Sequence, residues 1–451
     1  MRTAAHRRVG PRAAILSIPI SLFFGFNAPA NAANRLAPTD HELVVHAPAK
    51  TGQSFIQTEQ RLPIQPAAIV TTDDGLIVAG YSGEHAWAAK TDFAGKVLWT
   101  YQVEKPAGYD AYPWLQVRPE FRCATAMPDG SVWLIGSTIE ADTQVGLLSH
   151  LDRQGNVLEI RTAHPPSDRS SRAATNLLID CVRMGDGIAM VGSTSVRAEA
   201  TASRSTAAQP NPSPWRPAFW ILILDANGHQ SYEEVIPTGH ERALGGSSAA
   251  MTLLAVGTDL IVSAQTGADT ELLRLSINGD GKIQKHYASA FLSLIHPVVP
   301  DGRLQLLGTL LALDDHSPPR STFSVALITL NDRLEELQRQ RVPKPMVVNV
   351  VYRMRDQSLV VFGAEVHQSG ERYTSQIARI DATLSHIRTL NPSRALVSDT
   401  GMIHTAAPLD SGGRFVAATP GVVKGYPDHP VHIDASPGFL RGAVLDFADL
   451  Q

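Results

Sequence analysis

The chain has 451 residues, of which 43% are hydrophobic, and it carries a formal net charge of −4 at pH 7. This hydrophobic content is ample for a folded core, and an acidic chain without a run of Lys or Arg is not expected to bind nucleic acid. The two cysteines, Cys123 and Cys181, exclude a framework of several disulfides, and whether they pair stays open.

The N-terminus has the order of a secretory signal peptide. Four arginines lie among the first twelve residues, the apolar stretch "AAILSIPISLFFGF" follows, and small residues occupy Ala30–Ala32. The apolar stretch is too short to span a bilayer, and no later segment is long and apolar enough, so no membrane span is predicted. We therefore expect a signal peptide over residues 1–32, a mature chain starting near Ala33, and a periplasmic or secreted protein.

A short phrase then recurs along the chain, typified by "PDGSVWLIG" at Pro128–Gly136. Each copy joins a turn to an apolar strand that ends in a small residue, and most copies lie about 55 residues apart. The seven copies end at Gly80, Gly136, Gly192, Ala264, Gly308, Gly363 and Ala418.

A second phrase follows each copy of the first, for example "LLSHLDRQGNV". It is an apolar strand that ends at a residue whose short polar side chain can bond the backbone of the following turn. These turn residues are Asp92, Asp152, Asp225, Ser276, Asn331, Asp381 and Asp446. Because the two sequence patterns occur together, in the same order, seven times, they indicate a true structural repeat.

The pattern predicts four strands in each repeat. In the first, "AAIVTT" and "LIVAGYS" flank the turn "DDG", and "AWAAKT" and "KVLWTYQV" flank "DFAG". Asp-Gly between apolar runs is a strong hairpin signal, and four-stranded units at this period are typical of propeller blades. The sequence thus predicts an all-β, seven-bladed β-propeller that forms a single domain over residues 33–451.

The last repeat, "GAVLDFADLQ", ends after its third strand. Near the start of the chain, "TGQSFIQTEQRLP" is similar to the fourth strand of the first repeat but has no repeat before it. We therefore expect residues 52–60, with Ser54–Gln60 as the strand, to complete the last blade and close the ring. Closure would also remove an exposed sheet edge.

The sequence of the first repeat, "LIVAGYS" followed by "AAKTDFAGKVLWTYQ", resembles the repeats of exported bacterial propellers of the quinoprotein-like superfamily. That superfamily includes a lipoprotein scaffold of outer-membrane assembly and the pyrroloquinoline-quinone dehydrogenases. The dehydrogenases have repeated tryptophan docking motifs, whereas the Trp-bearing strand is clear here only at Trp99. The resemblance therefore implies an exported propeller, and no cofactor is predicted.

Successive strands are predicted to be antiparallel, so the connections between them lie alternately on the two rims of the propeller. The hairpin rim carries the short turns between strands one and two and between strands three and four of each blade. The loop-rich rim carries the longer connections, where binding residues of rigid scaffolds usually lie. Tyr, Trp and Arg dominate binding hot spots. On the loop-rich rim these candidates are Tyr109, Tyr112, Trp114, Arg118, Trp215, Arg216 and Arg242.

The sequence favours a binding protein, a scaffold or inhibitor whose partner is another exported or envelope protein. A carbohydrate-binding protein that uses the same aromatic residues is one alternative. A metal-dependent hydrolase or lactonase-like enzyme with a metal ion in the central channel is another, although no catalytic motif is present. The weak candidates for metal ligands are Asp428, His429, His432 and Asp434 in "YPDHPVHID".

Overall fold

The structure is a computed structural model. It describes residues 45–46, 57–58, 64–82, 85–93, 97–104, 118–140, 143–166, 176–197, 215–238, 251–266, 269–277, 281–288, 290–295, 303–313, 321–342, 346–366, 373–390, 405–408, 414–419 and 441–446. These residues form strands and turns, without a helix that could cross a membrane. The predicted signal peptide lies outside the described residues.

Most of the strands belong to six four-stranded antiparallel sheets, in which spatial order follows chain order. Blade 1 contains β3 (Ile64–Thr72), β4 (Gly75–Ser82), β5 (His85–Thr91) and β6 (Val97–Val103). Blade 2 contains β7 (Glu120–Ala126), β8 (Val132–Glu140), β9 (Thr143–Leu151) and β10 (Val157–Ala163). Blade 3 contains β11 (Leu177–Met184), β12 (Gly187–Arg197), β13 (Trp215–Leu224) and β14 (Gln230–Pro237).

The second half of the chain repeats this pattern. Blade 4 contains β15 (Met251–Val256), β16 (Asp259–Thr266), β17 (Asp269–Ser276) and β18 (Lys282–Tyr287). Blade 5 contains β19 (Ala290–Leu294), β20 (Leu304–Leu313), β21 (Ser321–Leu330) and β22 (Glu336–Val342). Blade 6 contains β23 (Met346–Arg353), β24 (Leu359–Val366), β25 (Tyr373–Ile380) and β26 (Ile387–Leu390).

The first strand of each blade contacts the first strand of the next, from β3 through to β23. A three-stranded sheet of β27 (Thr405–Pro408), β28 (Arg414–Thr419) and β29 (Arg441–Asp446) follows, and β27 contacts both β23 and β3. The sheets therefore surround a central channel with their first strands innermost. This fold is a β-propeller.

The prediction of seven four-stranded blades is wrong, because the described residues form six. The seventh repeat supplies only the three-stranded sheet. Within the expected closing strand Ser54–Gln60, the structure describes β2 (Gln57–Thr58), which contacts β29 but pairs with β1 (Val45–His46) in a separate two-stranded sheet. The described part of β2 is two residues long and forms no ladder with β29, so the last sheet has three strands.

The apolar strands of the repeat form because each blade is covered on both faces. In β12, Ile188 and Met190 pack into the core shared with blade 2. The alternate residues Ala189 and Val191 pack into the core shared with blade 4. Successive side chains of a strand point to opposite faces, so a strand buried on both faces reads as a continuous apolar run.

The small residue that ends the first phrase allows the inner strand to approach closely. A Cβ at Gly136 would lie 1.8 Å from the carbonyl oxygen of Glu120, and a Cβ at Gly192 would lie 1.8 Å from that of Leu177. A register shift interrupts the innermost strand opposite each of these glycines. Opposite Ala264 the pairing is continuous. At Gly136 and Gly192 the glycine therefore accommodates a β-bulge of the inner strand.

Cys123 of β7 and Cys181 of β11 form a disulfide, which answers the question that the sequence left open. Their Cα atoms are 5.8 Å apart, so neighbouring inner strands lie close enough for the bond at this level. Both residues belong to the core shared by blades 2 and 3. A disulfide of this kind typically stabilises a domain by about 2–4 kcal/mol.

Four of the seven turn residues predicted between strands three and four cap their turns. The Asp152 carboxylate accepts hydrogen bonds from the backbone N–H groups of Gln154 and Asn156, at 2.9 and 2.8 Å. The same pair of bonds to the second and fourth following residues recurs in blades 3 and 5, at Asp225 and Asn331. In blade 6 the Asp381 carboxylate accepts from the backbone N–H groups of Ser385 and His386. These side chains on the hairpin rim therefore stabilise turns, as predicted for their residue types.

The hairpin rim also holds a repeated ion pair that joins the first turn of a blade to its third strand. In blade 1, Lys90 Nζ lies 2.7 Å from Asp74 Oδ1, and the Lys90 side chain is only 2% exposed. The hydrogen bond from Lys90 is the main reason that the pKa of Asp74 is well below its usual range. The corresponding pairs in blades 4 and 6 are Arg274 with Asp259 and Arg379 with Asp356.

Asp74→Ala should destabilise the protein by about 2 kcal/mol at pH 7, because it leaves the buried ammonium of Lys90 without its nearest carboxylate. This value is below the range for a fully buried pair because Asp74 is about a third exposed. Asp186 occupies the same turn position in blade 3, where Ile223 replaces the cation, so Asp186→Ala is the matched control and should change stability by less than about 0.5 kcal/mol.

Urea unfolding of both variants measures these free energies. The lowered pKa of Asp74 means that its contribution is present above the unfolded pKa of about 3.9 and is lost as the pH falls further. The difference in the free energy of unfolding between the Asp74→Ala variant and the native chain should therefore become smaller below pH 4. Equal destabilisation by the two substitutions at pH 7 would contradict the assignment of this ion pair.

Candidate functional site

The structure describes part of the predicted binding set. Tyr109, Tyr112 and Trp114 lie in residues 105–117, and Arg242 lies in residues 239–250, both outside the described residues. The four candidate metal ligands, Asp428, His429, His432 and Asp434, are also outside them.

Three members of the set remain, and all of them lie on the loop-rich rim. Arg118 precedes β7 of blade 2, whereas Trp215 and Arg216 begin β13 of blade 3. The backbones of Trp215 and Arg216 pair with those of Arg197 and Val196 at the end of β12. The structure thus places these residues on one rim but on different blades.

Arg118 has the most clearly defined surroundings of these residues. Its guanidinium carbon lies 3.3 Å from the centroid of the Tyr81 ring, so the cation rests on the aromatic face. Tyr81 is near the end of β4 in blade 1, and Arg118 stands just before β7 in blade 2. The contact therefore bridges the first two blades at the mouth of the channel.

A second charged pair lies beside this contact. Arg122 donates a hydrogen bond from Nε to Glu120 Oε1 at 2.6 Å, and its Nη2 reaches the same oxygen. The register of β7 shifts between Phe121 and Cys123, so Arg122 is the extra residue of a β-bulge. Bulges re-aim a side chain, and here the bulge accompanies the turn of Arg122 toward Glu120.

The charges around Tyr81 affect the pKa of its phenol in opposite directions. Burial raises this pKa to about 12, with a smaller contribution from the carboxylate of Glu120, while Arg118 and Arg122 lower it. Tyr81 therefore stays neutral at pH 7 and offers its ring face to a cation. Two guanidinium groups and one carboxylate leave this part of the mouth with a positive balance.

The backbone that carries Arg118 is restricted. Pro119 follows it, is buried, and has a fixed φ angle, and a residue before proline is driven toward extended geometry. The mouth cluster, which we define as Tyr81, Arg118, Glu120 and Arg122, therefore stands on a rigid base. Its two guanidinium groups give it the chemistry of recognition, since such groups bind anions and aromatic faces.

A different acidic group lies deeper, on an innermost strand. Asp180 of β11 accepts hydrogen bonds from the backbone N–H groups of Cys181, at 2.9 Å, and Leu253, at 2.6 Å. Burial nevertheless raises the pKa of Asp180 to about 7. Burial also raises the pKa of Tyr352 on β23, and the charge of Asp180 adds to this effect. The channel thus contains a carboxyl group that titrates near neutral pH, opposite a neutral phenol.

Asp180 and Cys181 together connect three blades. The Asp180 carboxylate binds the backbone of β15 in blade 4, and Cys181 is bonded to Cys123 of blade 2. Two adjacent residues of β11 therefore fix its position against both neighbours. The immediate role of Asp180 is to hold inner strands together.

One group of residues on the hairpin rim has the composition of a hydrolytic triad. Ser131 Oγ donates to Asp129 Oδ1 at 2.6 Å, and His150 Nε2 lies 2.9 Å from the same hydroxyl. A hydroxyl has one hydrogen, so His150 must donate to Ser131 and cannot act as its base. Ser131 is also buried, and His150 stacks on Trp133 with centroids 4.3 Å apart. This group is the blade 2 counterpart of the repeated ion pair.

Among the described residues, no three His, Cys, Asp or Glu side chains converge as metal ligands.

Tyr81, Glu120, Arg122 and Asp180 were not among the residues predicted from the sequence. A signal for two of them was present, because "RPEFR" places charges at Arg118, Glu120 and Arg122. Alternate positions of a strand share a face, so this pattern indicates a charged stripe. Tyr81 and Asp180 had no comparable signal, because their importance depends on contacts with other blades.

Comparison with solved structures finds other propellers at low identity. The Pan2 WD40 domain of Neurospora crassa aligns with a TM-score of 0.46 and 13% identity, over 84% of this chain and 89% of that chain. The α-L-arabinanase of Penicillium chrysogenum, solved with arabinobiose, aligns with a TM-score of 0.45 and 9% identity, over 88% and 99%. No family model matches the sequence, and no curated protein matches it.

Asp180 should make stability depend on pH. Its folded pKa of about 7 exceeds the unfolded value of about 3.9, so its contribution is fully present below pH 4 and is lost as the pH rises through 7. Between pH 5 and pH 8 the free energy of unfolding of the native chain should fall by about 2–3 kcal/mol because of this group alone. Asp180→Asn should remove this loss.

Urea unfolding at several pH values tests the prediction, with the difference between the native chain and the variant as the measured quantity. Asp186→Asn, on the exposed turn that follows β11, is the matched control and should leave the pH profile unchanged. Parallel profiles for the native chain and Asp180→Asn would show that burial does not govern this carboxyl group.

Proposed function

We propose that the protein is an exported β-propeller that binds a protein partner through its loop-rich rim. The observation that carries the proposal is the contrast between the two rims. On the hairpin rim, the described polar side chains are largely engaged in turns and ion pairs of the fold. On the loop-rich rim, Arg118 is stacked on Tyr81 at the mouth of the channel, a pairing of the residue types that dominate binding hot spots.

The proposal extends to the rest of the predicted set, Tyr109, Tyr112, Trp114, Trp215, Arg216 and Arg242. Residues 105–117 carry three of these side chains and directly precede Arg118 in the sequence. Partners of this kind include another exported or envelope protein, for which the protein would serve as a scaffold or inhibitor. The resemblance of the first repeat to quinoprotein-like propellers supports the same class of function.

Affinity measurements on two sets of alanine variants test the choice of rim. Trp114→Ala, Trp215→Ala and Arg216→Ala should each weaken partner binding by about thirtyfold, or about 2 kcal/mol. Asp152→Ala and Asp225→Ala should lower the melting temperature and leave affinity unchanged, because these side chains cap turns. Loss of binding by folded turn variants, with the aromatic variants unaffected, would place the interface on the hairpin rim. Competition by a soluble oligosaccharide would instead indicate a carbohydrate ligand.

Export makes a separate prediction for the intact mass of the protein purified from its native cell envelope. Removal of residues 1–32 should give a mass that corresponds to a start near Ala33. Oxidation of Cys123 and Cys181 should lower that mass by two hydrogens. A mass that includes Met1, or two thiols that react in the unfolded and unreduced protein, would contradict export.

A further inference from the structure

We propose that Arg118, held on the ring of Tyr81, is a binding site for a carboxylate group. The group would be an acidic side chain or the C-terminal carboxylate of the partner, so the inference rests on the proposed function for its biological ligand. The site itself is defined by the mouth cluster and can be tested without that partner.

The stacked geometry leaves the hydrogen-bonding edge of Arg118 available. With Cζ 3.3 Å from the ring centroid, Tyr81 covers one face of the guanidinium plane. The five N–H groups lie in that plane and point away from the face. Within the described part of the chain, Arg118 has no hydrogen bond or ion pair, and its recorded contact is the one with Tyr81.

Glu120, the acid of the mouth cluster, is already paired with Arg122. Glu120 receives both Nε and Nη2 of Arg122 on one oxygen, which compensates its charge locally. Arg122 therefore occupies the carboxylate that Arg118 would otherwise attract. Arg118 is thus a second guanidinium of the cluster, and among the described residues it has no acidic partner.

The site is also prepared in advance for binding. The ring of Tyr81 holds the guanidinium, and buried Pro119 restricts the backbone on its C-terminal side. Less side-chain freedom is then lost when a ligand arrives, which favours affinity. A guanidinium fork matches the two oxygens of a carboxylate. One available guanidinium beside a neutralised Glu120 suits a monoanion better than a phosphate dianion.

The test uses two fluorescent peptides and the full mature chain. One peptide ends in Glu-Glu with a free carboxyl terminus, and the other ends in Gln-Gln with an amide. The native protein should bind the acidic peptide about tenfold more tightly, as expected for one charge-assisted bidentate pair. Arg118→Lys keeps the charge but removes the fork, and it should reduce this preference to about threefold or less.

Tyr81 is a positioning residue in this account, and two variants separate its ring from its hydroxyl. Tyr81→Phe keeps the aromatic face and should retain the preference. Tyr81→Leu removes the face and should reduce it as Arg118→Lys does. Arg183→Lys is the matched control on the hairpin rim, where Arg183 Nε donates to the carbonyl of Gly185, and it should bind as the native chain does.

Melting curves establish that each variant is folded, and Arg118→Lys decides the question if Tyr81→Leu does not fold. An unchanged preference in folded Arg118→Lys would overturn the proposal, as would equal binding of both peptides by the native chain. The partner assay distinguishes this failure from that of the proposed function. If the preference is lost in Arg118→Lys but no partner binding depends on the loop-rich rim, the carboxylate site stands and the proposed function fails.

Discussion

Each blade of this protein has two apolar faces, and a face is buried only where a neighbouring blade lies against it. The five described cores each combine residues of two consecutive blades, from blades 1 and 2 through to blades 5 and 6. A single four-stranded sheet could not bury both of its faces, so the fold depends on stacking around the ring. The continuous apolar strands, the small residues beside the inner strands and the disulfide between blades 2 and 3 all serve this stacking.

Stacking also determines what the two rims can do. Antiparallel strands return at the hairpin rim through short turns, where the repeated aspartates cap the backbone or bind a cation of the third strand. The loop-rich rim has longer connections, and its described part contains the mouth cluster between blades 1 and 2. Arg118 belongs to that cluster through a contact between blades and not through its own strand. The site is therefore a product of the ring.

The repeat made most of the fold predictable, since each phrase specifies a strand and a turn through local chemistry. The capping roles of Asp152 and Asp225 followed from residue type and position alone. The number of complete blades did not follow, because the repeat specifies strands and turns locally, whereas the sheet that β2 joins depends on strands far apart in the chain. The same limit applies to the site. Arg118 was predicted from its residue type, whereas Tyr81 and Asp180 gain their roles from strands of other blades.

The central claim is that the loop-rich rim is the binding face of this propeller and that the hairpin rim maintains the fold. Hydrogen–deuterium exchange of the mature chain, measured with and without its native partner, tests it most directly. The account predicts that the partner slows exchange in peptides that contain residues 105–122 and the start of β13, and leaves the turn peptides around Asp152 and Asp225 unchanged. Slowed exchange confined to those turns would contradict it.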